Sequence, residues 1–538
     1  MRTIVRVARS TLIAVAASTG LLVAPTAPVH AQNQSASPQT PALIVFITVD
    51  QMREDYFDRF SSQLTGGLGR LYRGGAFFTN AFQDHAITET APGHSVTMSG
   101  RFPGHTGIVM NAAGVPDAKA PLINGGGPGA SPLRFRGTVL MDWLRAKDPK
   151  SRGLSVSRKD RGAILPMGRA KQSVFWYTPL GWFTTSKYYA DTLPSWVNAF
   201  NAKEIPRTYA GKVWNPLLPL NSYPEPDSVP NENFGKNFVF PHPFPQDSDQ
   251  TAQLFTEYPP MDSLTAQFAL AGLQAMELGH GEHTDLLAVS FSTTDAVGHR
   301  YGPDSRELHD QILRLDKYLG IFIDSLYKVR DSSKIVFALT ADHGTGPYPE
   351  LRALKEHTKA QRADVWPTLY TAMAKLMGAG ADSTTLQFED GIIWINRDKT
   401  TKAGLKPDSV LDALAKSLRA LDGVGRVDFV KDLAKADTTK DAVARRWLHM
   451  LPSDLPADLV VSLAPYAYYA GVTMSTHGTP NDYDAHVPVI FYGPWFKAGK
   501  YSEKALVADM APTLAAVAGV TPSEKLDGSV RAEAIRKP

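Results

Sequence analysis

The chain of 538 residues contains no cysteine, and this absence excludes several kinds of chemistry. Disulfide bonds, thiolate nucleophiles and cysteine-based zinc sites are impossible, so any metal ion must be held by histidine, carboxylate or hydroxyl groups. A lipid anchor on an N-terminal cysteine is excluded as well. Stability must come from a large hydrophobic core, and the content of 43% hydrophobic and 10% aromatic residues is typical of a globular enzyme.

Long apolar runs are also scarce, and the run at the N-terminus has the features of a secretory signal. Arg2, Arg6 and Arg9 precede an apolar stretch at 11–24, which ends near the small-residue site Val29-His30-Ala31. The stretch is shorter than the ~20 apolar residues that a membrane-spanning helix needs. We therefore predict a signal peptide at 1–31 and a polar, disordered linker at 32–40. The mature protein is expected to be periplasmic or secreted, without a stable membrane anchor.

A large excess of charge of either sign is missing too. The formal net charge is +3, and removal of the three arginines of the signal peptide would bring it to zero. The composition therefore lacks the strongly basic character of nucleic-acid-binding domains, and we expect no nucleic-acid partner.

Apolar runs that alternate with helical patterns indicate an α/β fold. Buried parallel strands are predicted at 42–49, 286–291, 335–339 and 487–492. Helices are predicted at 264–278, 305–329, 365–377 and 505–518. This alternation predicts a mostly parallel central sheet flanked by helices. We assign 41–535 to one catalytic domain, in which the irregular segments 180–260 and 385–465 are predicted insertions.

Acidic residues follow three of the predicted strands: Asp50, Asp295 and Asp342. Because ligands of open α/β sheets bind beyond the carboxyl ends of strands, we expect these carboxylates to converge. A lone strand-end aspartate or loop histidine is usually structural, but three carboxylates with three imidazoles favour two divalent cations, with zinc as the leading choice. The histidines near the strand ends are His299, His343 and His477.

The segment TETAPGHS at 88–95 is the candidate for a nucleophile near this cluster. Pro92 is favoured at the first position of a helix, which we predict to run to Met98. Thr90 would then lie just before the helix N-terminus, where free N–H groups attract anions. A metal-coordinated hydroxyl in this place can ionise near neutral pH and attack phosphorus. Without metal ions, a threonine in this position would more commonly be a helix cap.

A basic turn carries the residues that bear on the substrate. Lys159 and Arg161 lie in the segment SRKDRGA at 157–163, and Asn111 follows Thr90 in the chain. A phosphate monoester keeps two charges on its non-bridging oxygens, and lysine and arginine side chains stabilise them in a loose transition state. A solvated basic turn is the commoner role of such a run, so the residues alone leave both interpretations open.

Seven segments together carry a family resemblance, in the order of the family and from one end of the mature chain to the other. They are VDQMRxD at 49–55, TxTAPGHS at 88–95, GRFPGHTGIVxN at 100–111, KDRGA at 159–163, TDxxGHxYGP at 294–303, TADHG at 340–344 and THGTPxxYDxHVPxIFYGP at 476–494. The sequence resembles the alkaline phosphatase superfamily, and within it the periplasmic phosphomonoesterases of the PafA type. The set is specific, although each segment alone is not.

The resemblance implies a zinc-dependent alkaline phosphatase that hydrolyses small-molecule phosphate monoesters through a phosphorylated Thr90. One zinc ion would lower the pKa of the threonine hydroxyl while the other stabilises the leaving oxygen, and the roles would reverse when water attacks the intermediate. The implied ligands of the two zinc ions are Asp295, His299 and His477 for one, and Asp50, Asp342, His343 and the Thr90 oxygen for the other. The residues implied to contact the phosphoryl oxygens are Asn111, Lys159 and Arg161. A monomer is expected.

Related activities are the competing hypotheses. A phosphodiesterase or nucleotide pyrophosphatase would share the metal site and the threonine but is expected to lack the Lys159 and Arg161 pair. A sulfatase would need a cysteine for its formylglycine, and a metal-dependent phosphoglycerate mutase would not need a signal peptide. A non-catalytic zinc- or phosphate-binding protein would be expected to have lost a ligand or the nucleophile. For His94 and His486 we predict supporting or structural roles.

Overall fold

The structure is a computed structural model, and it describes residues 40–378 and 382–537. The predicted signal peptide at 1–31 and the predicted linker, except its last residue, lie outside the described residues. Within the described part of the chain, a nine-stranded sheet forms the centre of the fold. In spatial order its strands are Gly499–Tyr501, Ala76–Phe78, Val489–Tyr492, Ile335–Thr340, Leu43–Val49, Asp285–Phe291, Gly153–Ser157, Ser173–Tyr177 and Phe183–Thr184.

The sheet is mixed but mostly parallel, as the sequence predicts. The five strands from Ile335–Thr340 to Ser173–Tyr177 in this order are all parallel to one another. The prediction of a parallel strand at 487–492 is wrong in direction, because Val489–Tyr492 pairs with Ile335–Thr340 in antiparallel fashion. A strand buried among neighbours on both sides is apolar whichever way it runs, so the composition of this segment carried no information about direction.

Helices cover the sheet, and two of the four predicted helices have the predicted bounds to within one residue. The longest, Arg306–Val329, begins where Ser305 accepts a hydrogen bond from the Leu308 N–H, and Val365–Met377 has its predicted bounds. The helix predicted at 264–278 begins and ends earlier, as Pro260–Ala275. The prediction of a helix at 505–518 is wrong at its start, because Ala505–Leu506 pairs with Ala81–Phe82 as a short strand. The α-helices are Tyr56–Arg59, Gly67–Gly74, Thr90–Thr97, Pro103–Thr106, Leu140–Lys147, Asp160–Ile164, Ser195–Asn201, Ser248–Leu254, Pro260–Ala275, Thr293–Tyr301, Arg306–Val329, Pro349–Glu356, Val365–Met377, Arg397–Lys402, Pro407–Arg419, Val430–Leu433, Ala442–Met450, Asp482–Ala485 and Met510–Ala518.

A second sheet with its own hydrophobic core lies in the segment that contains the predicted insertion at 385–465. Its four strands, all paired in antiparallel fashion, are Leu386–Glu389, Ile392–Ile395, Leu459–Leu463 and Val424–Phe429 among the described residues. The helices Val365–Met377 and Pro407–Arg419 pack into this core through side chains such as Leu369 and Leu414. The segment 180–260 contributes short helices and the two-stranded pair of Val213–Trp214 with His242–Pro243. The remaining short pair is Arg362–Ala363 with Tyr468–Tyr469.

The register of the central strands determines where the side chains after them are placed. Thr48 pairs with Thr340 on one side and with Ser290 on the other. The three strands therefore end at the same level of the sheet, and the chain segments that follow them emerge side by side. In the described part of the chain, no helix is both long and apolar enough to cross a membrane.

Candidate active site

Three carboxylates meet at the ends of the three central strands. Asp50 directly follows Leu43–Val49, and Asp342 follows Ile335–Thr340 after one residue. Asp295 lies in the first turn of the helix Thr293–Tyr301, which follows the third strand. All three side chains are buried. The expected convergence of the carboxylates is thus present, and its cause is the common level at which the strands end.

Imidazole nitrogens face these carboxylates. His343 Nε2 lies 3.4 Å from Asp50 Oδ1 and 3.7 Å from Asp342 Oδ2. His299 Nε2 and His477 Nε2 lie 3.2 Å and 3.7 Å from Asp295 Oδ1. Among the described residues, two sets of side chains have ligand atoms close enough together to hold a metal ion. These sets are Asp50, Asp342 and His343, and Asp295, His343 and His477.

The three histidine rings are held in one orientation by backbone carbonyl groups. Each Nδ1 is hydrogen-bonded to a carbonyl oxygen, which can only accept, so Nδ1 carries a proton and each ring presents its Nε2 to the carboxylates. This arrangement is typical of metal-binding histidines, whose second nitrogen is fixed by an outer hydrogen bond. The bonds are His299 Nδ1 to Ser475 O at 2.6 Å, His343 Nδ1 to Gly344 O at 3.0 Å and His477 Nδ1 to Thr88 O at 2.8 Å.

Lys159 extends into the centre of the cluster. The residue precedes the helix Asp160–Ile164, just after the strand Gly153–Ser157 that neighbours the strand leading to Asp295. Its ammonium nitrogen lies 2.6 Å from Asp50 Oδ2 and 2.7 Å from Asp295 Oδ2. The same nitrogen donates a hydrogen bond to Thr90 Oγ1 at 3.2 Å. One side chain of the predicted basic pair thus contacts both candidate metal-binding sets and the predicted nucleophile.

The charges in the cluster are unbalanced. Burial, followed by repulsion from Asp295 and Asp342, raises the pKa of Asp50. Burial also favours the neutral form of Asp295, but Lys159 and His299 outweigh it and hold the pKa of Asp295 well below its ordinary value. Burial and the neighbouring His343 and His299 keep the pKa of His477 well below its ordinary range. Asp50 and Asp295 contact the Lys159 ammonium group, and the Arg158 guanidinium donates a hydrogen bond to Asp295 Oδ2 at 3.3 Å. The three carboxylates thus outnumber the lysine and arginine side chains in this buried space, an arrangement that favours the binding of further cations.

The donor atoms fit divalent metal ions. Asp50 Oδ1 and His343 Nε2 are buried and form no hydrogen bond with any described residue. Buried polar atoms are nearly always paired, so unpaired oxygen and nitrogen atoms that face each other are best explained as ligands. A mixed set of carboxylates and imidazoles is the donor set that zinc accepts in a site without cysteine.

Thr90 lies beside this cluster at the start of a buried helix. The helix runs from Thr90 to Thr97, two residues earlier than predicted at its start. Pro92 occupies the third position, where its missing N–H is harmless because the first four N–H groups of a helix lack partners within it. The Ala91 N–H donates to Asn111 Oδ1 at 2.9 Å, which brings Asn111 next to Thr90. Arg161 lies in the helix after Lys159, with its guanidinium 3.6 Å from Asp160 Oδ1.

The family model described as type I phosphodiesterase / nucleotide pyrophosphatase matches residues 44–479. The chain belongs to this family. Alkaline phosphatase PhoV of Synechococcus elongatus is 33% identical over 90% of this chain and 91% of that protein. Alkaline phosphatase PafA of Elizabethkingia meningoseptica is 30% identical over 90% of this chain and 93% of that protein.

The solved structures include a crystal structure of wild-type alkaline phosphatase PafA, which superposes with a TM-score of 0.86 at 27% identity. The alignment covers 93% of this chain and 100% of that chain. Together with the two curated relatives, it confirms the predicted membership in the alkaline phosphatase superfamily, the α/β fold with its mostly parallel sheet, and the assignment of the chain as an alkaline phosphatase.

Gln51 also belongs to the candidate active site, and the sequence analysis did not predict it. Its backbone N–H donates to Asp342 Oδ1 at 3.1 Å, and its Nε2 donates to Asp295 Oδ1 at 3.2 Å. The residue is buried and has a φ of 65°, which few residues other than glycine adopt. Gln51 therefore donates a hydrogen bond to one carboxylate of each candidate metal-binding set. The sequence contains one indication of this packing, the glycine at position 298, because a Cβ there would overlap Gln51 Oε1.

His94 has the supporting position that the sequence suggests. Its Nδ1 lies 2.9 Å from the Thr90 carbonyl oxygen and 3.0 Å from Asp342 Oδ2. Its Nε2 is hydrogen-bonded to Ser290 Oγ at 2.9 Å. Both ring nitrogens are therefore occupied, and the ring connects the helix of Thr90 to a carboxylate of the cluster. His486 lies farther out, with Nε2 hydrogen-bonded to the Thr79 carbonyl oxygen.

Proposed function

We propose that this protein is a zinc-dependent alkaline phosphatase that hydrolyses phosphate monoesters through a phosphorylated Thr90. The observation that carries the proposal is the position of Lys159 Nζ, within 3.2 Å of Thr90 Oγ1 and 2.7 Å of Asp295 Oδ2. The Lys159 ammonium group is thus within hydrogen-bond distance of the buried Thr90 hydroxyl and of the carboxylates of Asp50 and Asp295. Together these groups can bind a dianionic phosphoryl group and attack it.

We assign two zinc ions to the cluster. Their proposed ligands are Asp295, His299 and His477 for one ion, and Asp50, Asp342, His343 and the Thr90 hydroxyl for the other. Bound zinc lowers the pKa of a coordinated hydroxyl and neutralises negative charge that develops on oxygen. Two observations support the assignment. The Nε2 of each histidine faces the carboxylates, and Asp50 Oδ1 and His343 Nε2 are buried without a hydrogen bond to any described residue.

We propose the following roles for the remaining residues. Thr90 Oγ1 attacks phosphorus at the start of its helix, where backbone N–H groups favour an anion. The Asn111 amide, the Lys159 ammonium and the Arg161 guanidinium contact the phosphoryl oxygens. Lys159 is free for this contact when cations neutralise Asp50 and Asp295. The alcohol leaves, and water then hydrolyses the phosphothreonine to release inorganic phosphate.

The protein is further proposed to act as a monomer on small molecules, in the periplasm or outside the cell. The arginine-led apolar stretch at 11–24 supports export. Phosphodiester hydrolysis is the second candidate function, because the family match includes phosphodiesterases. The same threonine and metal cluster would serve that reaction, and the charge of Lys159 and Arg161 favours the monoester, which carries the additional negative charge.

Replacement of the nucleophile tests the mechanism. Thr90→Ala should lower turnover of an aryl phosphate by at least about 1,000-fold while zinc stays bound, because the attacking oxygen is lost but the carboxylates and imidazoles remain. The matched control is Thr97→Ala at the other end of the same helix, where the hydroxyl donates to the His94 carbonyl oxygen. Steady-state rates and the zinc content of both variants should be measured. Undiminished turnover in the Thr90 variant would refute the assignment.

A further inference from the structure

Glu89 immediately precedes Thr90, and its side chain has an unexpected partner. It occupies the N-cap position of the helix Thr90–Thr97, yet its side chain makes no capping hydrogen bond to that helix. Its Oε2 instead accepts a hydrogen bond from the backbone N–H of Asn111 at 2.7 Å. The Glu89 carboxylate is therefore held by the Asn111 segment and not by the capping hydrogen bond that an N-cap side chain usually makes.

A second hydrogen bond returns from the Asn111 segment to the helix. The Ala91 N–H donates to Asn111 Oδ1 at 2.9 Å. Because an amide nitrogen cannot accept an N–H, this bond fixes which end of the Asn111 amide faces the helix and leaves Nδ2 as the donor. The residues on both sides of Thr90 thus hold Asn111, Glu89 through the backbone and Ala91 through the side chain. The position of the amide relative to the nucleophile depends on both bonds.

Charged neighbours surround the Glu89 carboxyl group. Burial and repulsion from Asp390 raise its pKa to about 7, against the opposing effects of the Asn111 hydrogen bond and of Arg161. Asp390 lies in the turn between the strands Leu386–Glu389 and Ile392–Ile395 of the second sheet. The direct contact of this carboxylate is the hydrogen bond from the Asn111 N–H.

We propose that Glu89 is a positioning residue that aligns Asn111 with the phosphoryl group at Thr90. The inference rests on the proposed function, since it takes Asn111 to be a phosphate contact. It does not require Glu89 to touch the substrate. Small displacements of groups that position a substrate can cost about 100-fold in rate, so the effect on catalysis should exceed the effect on folding.

A double-mutant cycle distinguishes positioning from a purely structural role. Glu89→Ala should lower kcat/KM for an aryl phosphate by about 10- to 100-fold and weaken competitive inhibition by inorganic phosphate. In an Asn111→Ala background the same substitution should cost no more than a small residual factor, because the amide that Glu89 aligns is already absent. Glu89→Gln keeps an oxygen that can accept the Asn111 N–H and should recover much of the loss. An equal loss in both backgrounds, or no loss in the parent, would overturn the proposal.

Asp527→Ala is the matched control for Glu89→Ala. Asp527 Oδ2 accepts the Phe102 N–H at 2.7 Å, so it is also a carboxylate that anchors a backbone amide of the segment between Thr90 and Asn111. Its replacement should leave inhibition by phosphate unchanged. Wild-type protein is assayed first: failure to hydrolyse the aryl phosphate would reject the proposed function itself. Normal wild-type hydrolysis with unaffected Glu89 variants would reject this inference alone.

Discussion

Glu232, in the segment 180–260, makes stability depend on pH in a way that can be calculated. Its side chain is 2% exposed, and its Oε2 forms no hydrogen bond within the described part of the chain. Burial, followed by repulsion from Glu307 and Asp227, raises the pKa of Glu232 from 4.5 to about 9. Between these two pH values the folded protein keeps the Glu232 proton, whereas the unfolded chain releases it. The free energy of unfolding is therefore unaffected by this group below pH 4.5 and decreases progressively as the pH rises toward 9.

The size of the effect follows from the pKa difference. One pKa unit corresponds to about 1.4 kcal/mol, so the free energy of unfolding should fall by about 2.7 kcal/mol between pH 6 and pH 8 through this group. Glu232→Gln removes the titrating group, so the free energy of unfolding of the variant relative to wild type should increase by this amount between pH 6 and pH 8. An unfolding entropy of about 2.1 cal/mol/K per residue, over about 500 residues, converts the gain into roughly 3 °C in Tm.

Calorimetric Tm values at pH 6, 7 and 8 measure this difference. Glu225→Gln is the control. Burial acts to raise the pKa of Glu225, but the hydrogen bond with His309 outweighs it and lowers the pKa. Its replacement should therefore give no gain that grows with pH. A Tm difference between the Glu232 variant and wild type that stays constant from pH 6 to pH 8 would refute the reasoning.

Two further predictions concern the metal cluster. Chelation should abolish hydrolysis and added zinc should restore it, as measured with an aryl phosphate; full recovery with magnesium alone would contradict the zinc assignment. Gly298→Ala should displace Gln51, because the new Cβ would overlap its Oε1. Metal analysis should then show less zinc per chain than in wild type, together with a lower kcat, and a variant with normal zinc content and rate would show that Gln51 does not order the cluster.

The central sheet could be predicted because its strands are buried on both faces. Continuous apolar runs mark Leu43–Val49, Asp285–Phe291 and Ile335–Thr340, and the acidic residues after them indicate where the strands end. Those two signals were enough to predict a shared edge with converging carboxylates. The direction of Val489–Tyr492 could not be predicted in this way, since its partner strand lies about 150 residues away in the chain and composition does not encode it.

The parts of the site that escaped prediction depend on contacts between distant segments. Gln51 bonds to Asp295 and Asp342, which are 244 and 291 residues away. A glutamine after a strand has many possible partners, and its positive φ is not recognisable from its identity. Lys159 was predicted to belong to the site, but its position between Asp50 and Asp295 results from the order of strands in the sheet. The sequence therefore indicates the members of the cluster, and the fold determines their neighbours.

The ratio of monoester to diester hydrolysis tests the central claim most directly. Wild-type protein should hydrolyse an aryl phosphate monoester much faster than the corresponding bis-aryl diester. The double variant Lys159→Ala/Arg161→Ala should lose at least about 100-fold in monoester kcat/KM, since hydrogen bonds to charged groups contribute about 1.5–3 kcal/mol each. Its diester rate should change much less. Faster hydrolysis of the diester by wild type, or an equal loss on both substrates in the variant, would contradict the assignment as a phosphomonoesterase.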